Sequence, residues 1–395
     1  MKNKYIHTWV AVIAGGQGTR LFPISNDERP KQFCRLDKNN TFIQATIERF
    51  VNLGINPTHI VVITTNSNQT CIAKEQTLCR GILSQNIRQI NPRFGYAGAM
   101  VKAAEFITTI DSEAVIINTP SDQHIIPDES FYEAMHDAIE SANQGFPTIL
   151  GVKINDLVTA TGCGHAIYDT HDESKIHTVV KFIEKPDAKI ADKLMRDECS
   201  ACNTGINIWQ AKTLLQVISS KNIGKKGLAT DVLMAKLGEL KLSVGQFKWH
   251  DCGTLKSLYD ISGKTPNHHN ATLGEGVVER IDCRRSLFYA EQGITLHVTG
   301  ATDDAVLATF VSEHPTITFV KLAESQRVKE LAEDYQRNKD FLTQDFSVGA
   351  RNNIIMRSNI SDELRGGFVS ENGWLIHAIK HGDGAIEIFA DKQFD

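Results

Sequence analysis

The sequence has no apolar run close to the roughly 20 residues that a bilayer-crossing helix requires. Its short apolar stretch at residues 9–14 also falls below the length of a secretory signal. The expectation is therefore a cytoplasmic protein with no membrane partner. A surplus of positive charge is missing as well: 42 Lys and Arg stand against 47 Asp and Glu, for a formal net charge of −5. Such a chain lacks the overall positive field that attracts nucleic acid, although a local phosphate pocket stays open. Cysteine pairing is sparse. Among eight cysteines, Cys199 and Cys202 make the one CxxC, and no second pair completes a zinc knuckle. Reduced thiols are expected rather than a disulfide framework. The chain also shows no internal repeat of fixed period and no low-complexity tract, and its 41% hydrophobic share argues against general disorder.

What is present is an alternation of strand and helix signals over the first two-thirds of 395 residues, a length that favours more than one domain. Residues 9–14 read as a buried strand that breaks into Gly15, Gly16, Gln17 and Gly18. Ile43, Ile47 and Phe50 follow at helical spacing, and residues 60–63 return to a β-branched strand. The same pattern recurs with a helical face of Ala97, Met100, Val101 and Ala104, a strand at 114–118, and a second face of Phe131, Ala134, Met135, Ala138, Ile139 and Ala142. An α/β domain with an open, mostly parallel sheet explains these segments. Beyond residue 274 the pieces shorten to β-like runs, and Val328, Leu331, Ala332 and Tyr335 have the spacing of a short helix. The expected organisation is a catalytic domain at 1–262, a β-rich domain at 263–335 and an additional region at 336–395. Phe368, Trp374, Ile376, Ile386, Ile388 and Phe389 argue for packed β structure in that last part.

The glycine-rich break carries the clearest chemistry. Gly15, Gly16 and Gly18 permit a tight turn whose amides can face phosphate oxygens, and Arg20 offers a charged donor fork. The segment matches neither GxGxxG nor GxxxxGK[ST], so taken alone it reads equally well as a plain turn. Lys31 could neutralise phosphate as a point charge, and a solvated surface lysine is its plainer reading. Asp122 and Asp251 each follow a strand-like run, where ligands of open α/β sheets gather. Two such carboxylates could hold Mg²⁺ against phosphate oxygens, or could each be a surface group or cap. Glu184 and Lys185 place opposite charges at another strand end and could equally be a surface ion pair. Asn203 offers both a donor and an acceptor and Gly164 can present bare backbone, and each reads at least as well as a turn residue.

Taken in order, GGQGTRLFPIS at 15–25, PKQF at 30–33, TPSD at 119–122, FIEKPD at 182–187, NTG at 203–205 and WHDCGT at 249–254 resemble the sugar-1-phosphate nucleotidylyltransferases, most closely the mannose-1-phosphate guanylyltransferases. The resemblance implies a Rossmann-like nucleotidyltransferase core, followed by a β-rich part that could be a short left-handed β-helix. It further implies that GTP and mannose-1-phosphate give GDP-mannose and pyrophosphate, with Mg²⁺ bound by Asp122 and Asp251. Lys185 is then expected at the sugar phosphate, with Glu184, Asn203 and Gly164 at the sugar. Arg20 and Lys31 are expected to neutralise charge on the nucleotide that Gly15, Gly16 and Gly18 cradle.

Three departures bear on specificity. The segment expected to contact the base reads Asn91-Pro92 and then Gly95-Tyr96-Ala97-Gly98, Gln123 intervenes between Asp122 and His124, and Cys163 and His165 replace an aromatic pair of the family pattern. A related pyrophosphorylase with another base or sugar, and a regulatory subunit that binds sugar nucleotide without turnover, are the alternatives. Zinc is the rival metal, with Cys163, His165, Cys199, Cys202, His250 and Cys252 as donors whose spacing does not define one tetrahedral site. A homo-oligomer is also open, since a second subunit could cover strand edges of the β-rich part.

Overall fold

The computed structural model describes residues 5–16, 18–35, 40–92, 95–169, 175–221, 229–311, 314–330, 332–333, 346–350, 353–357, 368–369, 374–380 and 386–392. Leu331 and Tyr335, half of the expected late helix, lie outside the described residues. The chain divides into two compact units. One joins Met1–Gly15 to Ile43–Asp251, and the other joins Gly16–Phe42 to Cys252–Asp395.

In the first unit, strands β1 (Thr8–Ile13), β2 (Ile60–Thr64), β3 (Ile87–Gln89) and β4 (Val115–Pro120) alternate with helices α1 (Phe42–Asn52), α2 (Ser67–Thr77) and α3 (Gly95–Thr108). A short strand β5 (His124–Ile126), helix α4 (Glu129–Asn143), β6 (Thr148–Val152), α5 (Leu157–Gly162), β7 (His165–Tyr168) and β8 (Ile176–Ile183) follow. The unit then runs through α6 (Ala188–Arg196), β9 (Ser200–Gln210), α7 (Ala211–Lys221), α8 (Ala229–Met234), β10 (Lys241–Gly245) and β11 (Lys248–His250). Nine strands form one sheet in the order β3-β2-β1-β4-β9-β6-β10-β8-β7. All run in one direction except β8 and β9. The expected mostly parallel sheet is therefore present, with these two strands reversed.

Burial explains the strand and helix patterns. From Thr8 to Val12 every residue of β1 is buried, as a central strand covered on both faces must be. Helix α4 is capped by Asp128, whose carboxylate accepts from the Phe131 amide at 3.0 Å, and it buries the six apolar residues predicted for its inner face. Strand β9 departs from regularity between Asn203 and Asn207. Asn207 pairs with Ile149 and Asn203 with Gly151, so β9 carries three residues where β6 carries one. This bulge takes Thr204, Gly205 and Ile206 out of the ladder with β6.

The second unit begins with the segment Gly16–Phe42 and resumes at helix α9 (Leu255–Ile261), which has a Thr254 capping box. Strands β12 (Ala271–Leu273), β13 (Val277–Ile281), β14 (Leu287–Ala290), β15 (Ile294–Thr299) and β16 (Asp304–Val311) alternate between two sheets. They stack in parallel, Ala271 on Leu287 and Leu287 on Ala305, as the rungs of a short coil do. The stacked positions are first 16 and then 18 residues apart (287 − 271; 305 − 287), which is why no fixed period is visible in the sequence. Strands β17 (His314–Lys321), β18 (Phe346–Ala350) and β19 (Asn353–Arg357) extend the first sheet. Strands β20 (Phe368–Val369), β21 (Trp374–Lys380) and β22 (Ile386–Lys392) complete the second, with β22 parallel to β15.

Two features differ from the sequence expectation. The chain divides after Asp251 rather than after residue 262, and Gly16–Phe42 groups with the C-terminal part. In addition, the described strands beyond residue 336 belong to the same two sheets as those before 335. Composition marks where strand and helix patterns change, whereas tertiary contacts decide which segments pack together. Leu21, Phe22, Ile24, Cys34 and Phe42 share a buried cluster with Leu255, Leu287, Leu307 and Val328, which accounts for the grouping of the early segment.

Candidate active site

The first unit concentrates its predicted residues at one edge of the sheet. Strands β2 and β3 lie on one side of β1 and β4 on the other, so the chain order reverses between β1 and β4. Open α/β sheets bind ligands at the carboxyl ends of strands at such a point. Gly15 follows the end of β1, and Asp122 follows the end of β4. Ser121 ties the two together, since its amide and its hydroxyl both donate to the Ile13 carbonyl, at 3.2 and 2.8 Å. Gly15 is held by Thr65 Oγ1, which donates to its carbonyl at 3.3 Å, and a Cβ on Gly15 would stand 2.6 Å from Thr65 Cγ2. A glycine is required there by this close approach.

Asp122 and Asp251 are brought to the same end of a small ribbon. Strands β5 and β11 pair antiparallel, with His124 opposite His250 and Trp249 opposite Ile125. Asp122 lies two residues before the first pair, and Asp251 lies one residue after it on the other strand. Among the described residues no group of three or more His, Cys, Asp or Glu side chains is gathered to hold a metal by itself. Two carboxylates are a donor set that suits Mg²⁺, an ion that keeps waters and takes substrate phosphate oxygens rather than a full protein cage. Asp122 is half-buried and Asp251 exposed.

Gly164, Glu184, Lys185 and Asn203 are assembled by β7, β8 and β9. The Asn203 amide donates to the Gly164 carbonyl at 2.8 Å, and the Lys185 amide donates to the Cys163 carbonyl at 3.2 Å. A Cβ on Gly164 would meet the Phe182 ring at 2.5 Å and Glu184 Oε2 at 2.8 Å, so the absent side chain makes room for both. Thr230 in α8 donates to Glu184 Oε2 at 3.1 Å and orients the carboxylate. Lys185 has φ 43, a left-handed backbone that is uncommon for a residue with a side chain. Asn203 Oδ1 accepts from the Gly205 amide at 3.1 Å, which satisfies the turn reading and leaves the side-chain amino group as its donor.

Side chains absent from the sequence-based expectation hold this edge together. Gln123 Nε2 donates to the Thr204 carbonyl at 2.6 Å, and Trp249 Nε1 donates to Gln123 Oε1 at 3.2 Å. Tyr96, at the start of α3, donates to the Gly205 carbonyl at 3.3 Å. Burial, and then the charge of Asp122, push the Tyr96 phenol well above its ordinary pKa. The insertion of Gln123 after Asp122, the Tyr96 segment and the WHDCGT motif that begins at Trp249 were sequence signals near this network, and nothing in the local pattern pointed to Thr230.

Gly16, Gly18, Arg20 and Lys31 fall in the second unit. Gly18 has φ 69, and a Cβ there would collide with Lys31 Cβ. Ser25 Oγ donates to the Gly18 carbonyl at 2.5 Å, and the Leu21 amide does so at 3.0 Å. Gly16 has open space around its Cα, and Arg20 is exposed in a 3-10 turn, Thr19–Leu21. Lys31 is not the solvated surface group of its plainer reading: it is buried, with Nζ 5.5 Å from the centroid of the Phe42 ring. The loop is anchored from within its own unit by Arg29, which forms a two-pronged ion pair with Glu291 at 2.5 and 3.1 Å.

The cysteines require a correction. Cys163 and Cys202 form a disulfide, where reduced thiols were expected. The antiparallel pairing of β7 with β9 puts His165 opposite Cys202, and the two cysteine Cα atoms come to 6.2 Å. Local spacing had singled out Cys199 with Cys202, but Cys202 bonds to Cys163 instead. The bond withdraws two of the six donors considered for zinc, and His165 Nε2 lies 2.9 Å from the Ala160 carbonyl instead. No helix among the described residues is long and apolar enough to cross a membrane.

Comparison with known proteins places the chain among related sequences and folds. A mannose-1-phosphate guanylyltransferase of Sinorhizobium fredii is 24% identical over 361 residues, covering 82% of this chain and 69% of that protein. The xanthan biosynthesis protein XanB of Xanthomonas campestris is 26% identical over 334 residues, covering 75% and 68%. Among solved structures, one described as a mannose-1-phosphate geranyltransferase from Thermus thermophilus shares the fold with a TM-score of 0.69 at 22% identity, covering 84% of this chain and all of that one. The model of the nucleotidyl transferase family matches residues 10–268. With a family match over most of its length, the chain belongs to the nucleotidyl transferase family.

Proposed function

We propose that the protein transfers a nucleoside monophosphate from a nucleoside triphosphate to a sugar-1-phosphate, with GTP and mannose-1-phosphate as the substrates and GDP-mannose and pyrophosphate as the products. The observation that carries this reading is the placement of Asp122 and Asp251 at one end of the β5–β11 ribbon, beside the strand-order reversal. The substrate identities rest on the names of the relatives.

In this reading a phosphate oxygen of the sugar-1-phosphate attacks the α-phosphorus. A new P–O bond forms as the bond to the bridging oxygen of pyrophosphate breaks, and the electron pair leaves with pyrophosphate. The nucleophile is already anionic, so the protein contributes alignment and charge neutralisation rather than a strong base. Asp122 and Asp251 would hold Mg²⁺, which when bound supplies electrostatic stabilisation of the phosphate oxygens. Lys185 offsets the sugar phosphate, Glu184 accepts from sugar hydroxyls with its carboxylate fixed by Thr230, and Asn203 donates through its amino group. Gly15, Gly16 and Gly18 offer backbone to the triphosphate, and Arg20 and Lys31 are assigned to its charge.

A turnover matrix of nucleotides against sugar-1-phosphates, read by pyrophosphate release with Mg²⁺, tests the proposal. Release with GTP and mannose-1-phosphate, lost on Asp122→Asn or Asp251→Asn, is expected. Preference for another base or sugar would correct the substrates. Uptake of GDP-mannose without exchange of labelled pyrophosphate into GTP would replace the enzyme reading by a binding subunit.

A further inference from the structure

We infer that Gln123 is a positioning residue that couples the magnesium carboxylates to the sugar-binding strand, an inference that rests on the proposed nucleotidyl transfer. The bulge in β9 removes Thr204 and Gly205 from the ladder with β6 and therefore leaves carbonyl groups in need of other donors. Side chains supply them. Tyr96 donates to the Gly205 carbonyl, and Gln123, itself 6% exposed, donates from Nε2 to the Thr204 carbonyl at 2.6 Å. The other end of the same amide is also engaged, because Oε1 accepts from the buried Trp249 indole at 3.2 Å. One planar group thus joins three segments: the loop holding Asp122, the strand holding Asn203, and the strand that ends one residue before Asp251.

The fit allows little substitution. The amide presents a donor and an acceptor at opposite sides of one rigid plane, whereas a carboxylate would set an acceptor against the Thr204 carbonyl and an apolar side chain would satisfy neither partner. Gly205, at φ 81, packs its Cα side against Pro120 and Gln123, with an added Cβ falling 3.1 Å from Pro120 Cγ and 3.6 Å from Gln123 Nε2. Gln123 therefore bears on the turn that presents Asn203 through both a hydrogen bond and packing. A loss at this position acts on metal and sugar together.

Three variants test the inference. Gln123→Met keeps length and volume while removing both bonds, Trp249→Phe removes the indole donor alone, and the double variant closes a cycle. Gln123→Met is expected to raise both the KM for the sugar-1-phosphate and the Mg²⁺ concentration at half-maximal rate by about five- to tenfold, the effect of about one buried hydrogen bond, with the nucleotide KM within about twofold of wild type. Trp249→Phe moves the same two quantities in the same direction by less, and the double variant is no worse than Gln123→Met, because both substitutions break one chain of contacts. A purely structural role predicts a lower melting temperature with both quantities unchanged in the folded variants. That result overturns the inference while leaving the proposed reaction intact. If Gln123→Met does not fold, Trp249→Phe decides by the same two readouts. A wild-type protein that turns over no nucleotide with any sugar-1-phosphate overturns the proposed reaction and this inference with it.

Discussion

Replacing Gly164 by alanine adds one methyl group at the point where the sugar-side residues converge. The new Cβ would stand 2.5 and 2.6 Å from two carbons of the Phe182 ring and 2.8 Å from Glu184 Oε2. Carbon atoms pack comfortably at about 3.5–4.0 Å, so the ring must retreat by roughly 1 Å. Phe182 packs against the main core of the first unit, and overpacking of this kind costs about 1–3 kcal/mol. The Glu184 carboxylate has freedom to swing away, but it then gives up the Thr230 hydroxyl, a hydrogen bond worth about 1 kcal/mol. Thermal unfolding should show a melting temperature lower by several degrees, about 2–4 °C per kcal/mol for a unit of this size. Initial-rate kinetics should show the KM for the sugar-1-phosphate raised about tenfold, since about 1.4 kcal/mol of lost binding corresponds to that factor. Thr230→Val separates the two effects, because it removes the hydroxyl without adding volume: the KM should rise and the melting temperature should stay close to wild type. An unchanged melting temperature and KM in Gly164→Ala would refute the packing argument, and a lower melting temperature with unchanged KM would remove Glu184 from the sugar site.

Three further outcomes are expected. Burial alone would lower the Arg29 pKa, yet the hydrogen bond to Glu291, together with the electrostatic effect of Tyr289, Cys34 and Glu291, raises the value, so Glu291→Ala leaves a largely buried cation without its carboxylate and should destabilise the second unit by about 3 kcal/mol in urea titrations; a loss below 1 kcal/mol would contradict this. Arg49 is 2% exposed, its Nε and Nη1 have no hydrogen-bond partner among the described residues, and burial pushes its pKa down to about 10, so Arg49→Met should raise stability by about 1–3 kcal/mol. A lower melting temperature in that variant would show that the guanidinium is compensated. Burial holds the His165 imidazole below its ordinary pKa, with the Ala160 carbonyl offsetting only part of the effect. As pH falls through about 6.5 the unfolded chain takes up a proton that the folded imidazole refuses, so stability declines until the lower folded value is passed. Urea midpoints of His165→Gln should therefore fall less than those of wild type between pH 7 and pH 5, and equal declines would argue against a buried neutral histidine.

Much of the first unit could be read from linear pattern. The buried run of β1, the β-branched β2 and the inner face of α4 were visible because a central parallel strand is apolar throughout and a surface helix buries every third or fourth residue. Glycines at 15, 18 and 164 were legible for a related reason: the close approach of neighbouring side chains, and at Gly18 a positive φ, restrict residue type at single positions. Partnership across the chain was not legible. The pairing of His124 with His250 sets Asp122 and Asp251 at one ribbon end, and the β7–β9 ladder joins Cys163 to Cys202 rather than Cys199 to Cys202. Only three-dimensional packing could assign Gly16–Phe42 to the C-terminal unit or make Gln123 the donor for a carbonyl freed by a bulge. Local composition records what each residue can do, but hydrogen bonds between residues 81 and 126 positions apart depend on how distant segments are folded against one another.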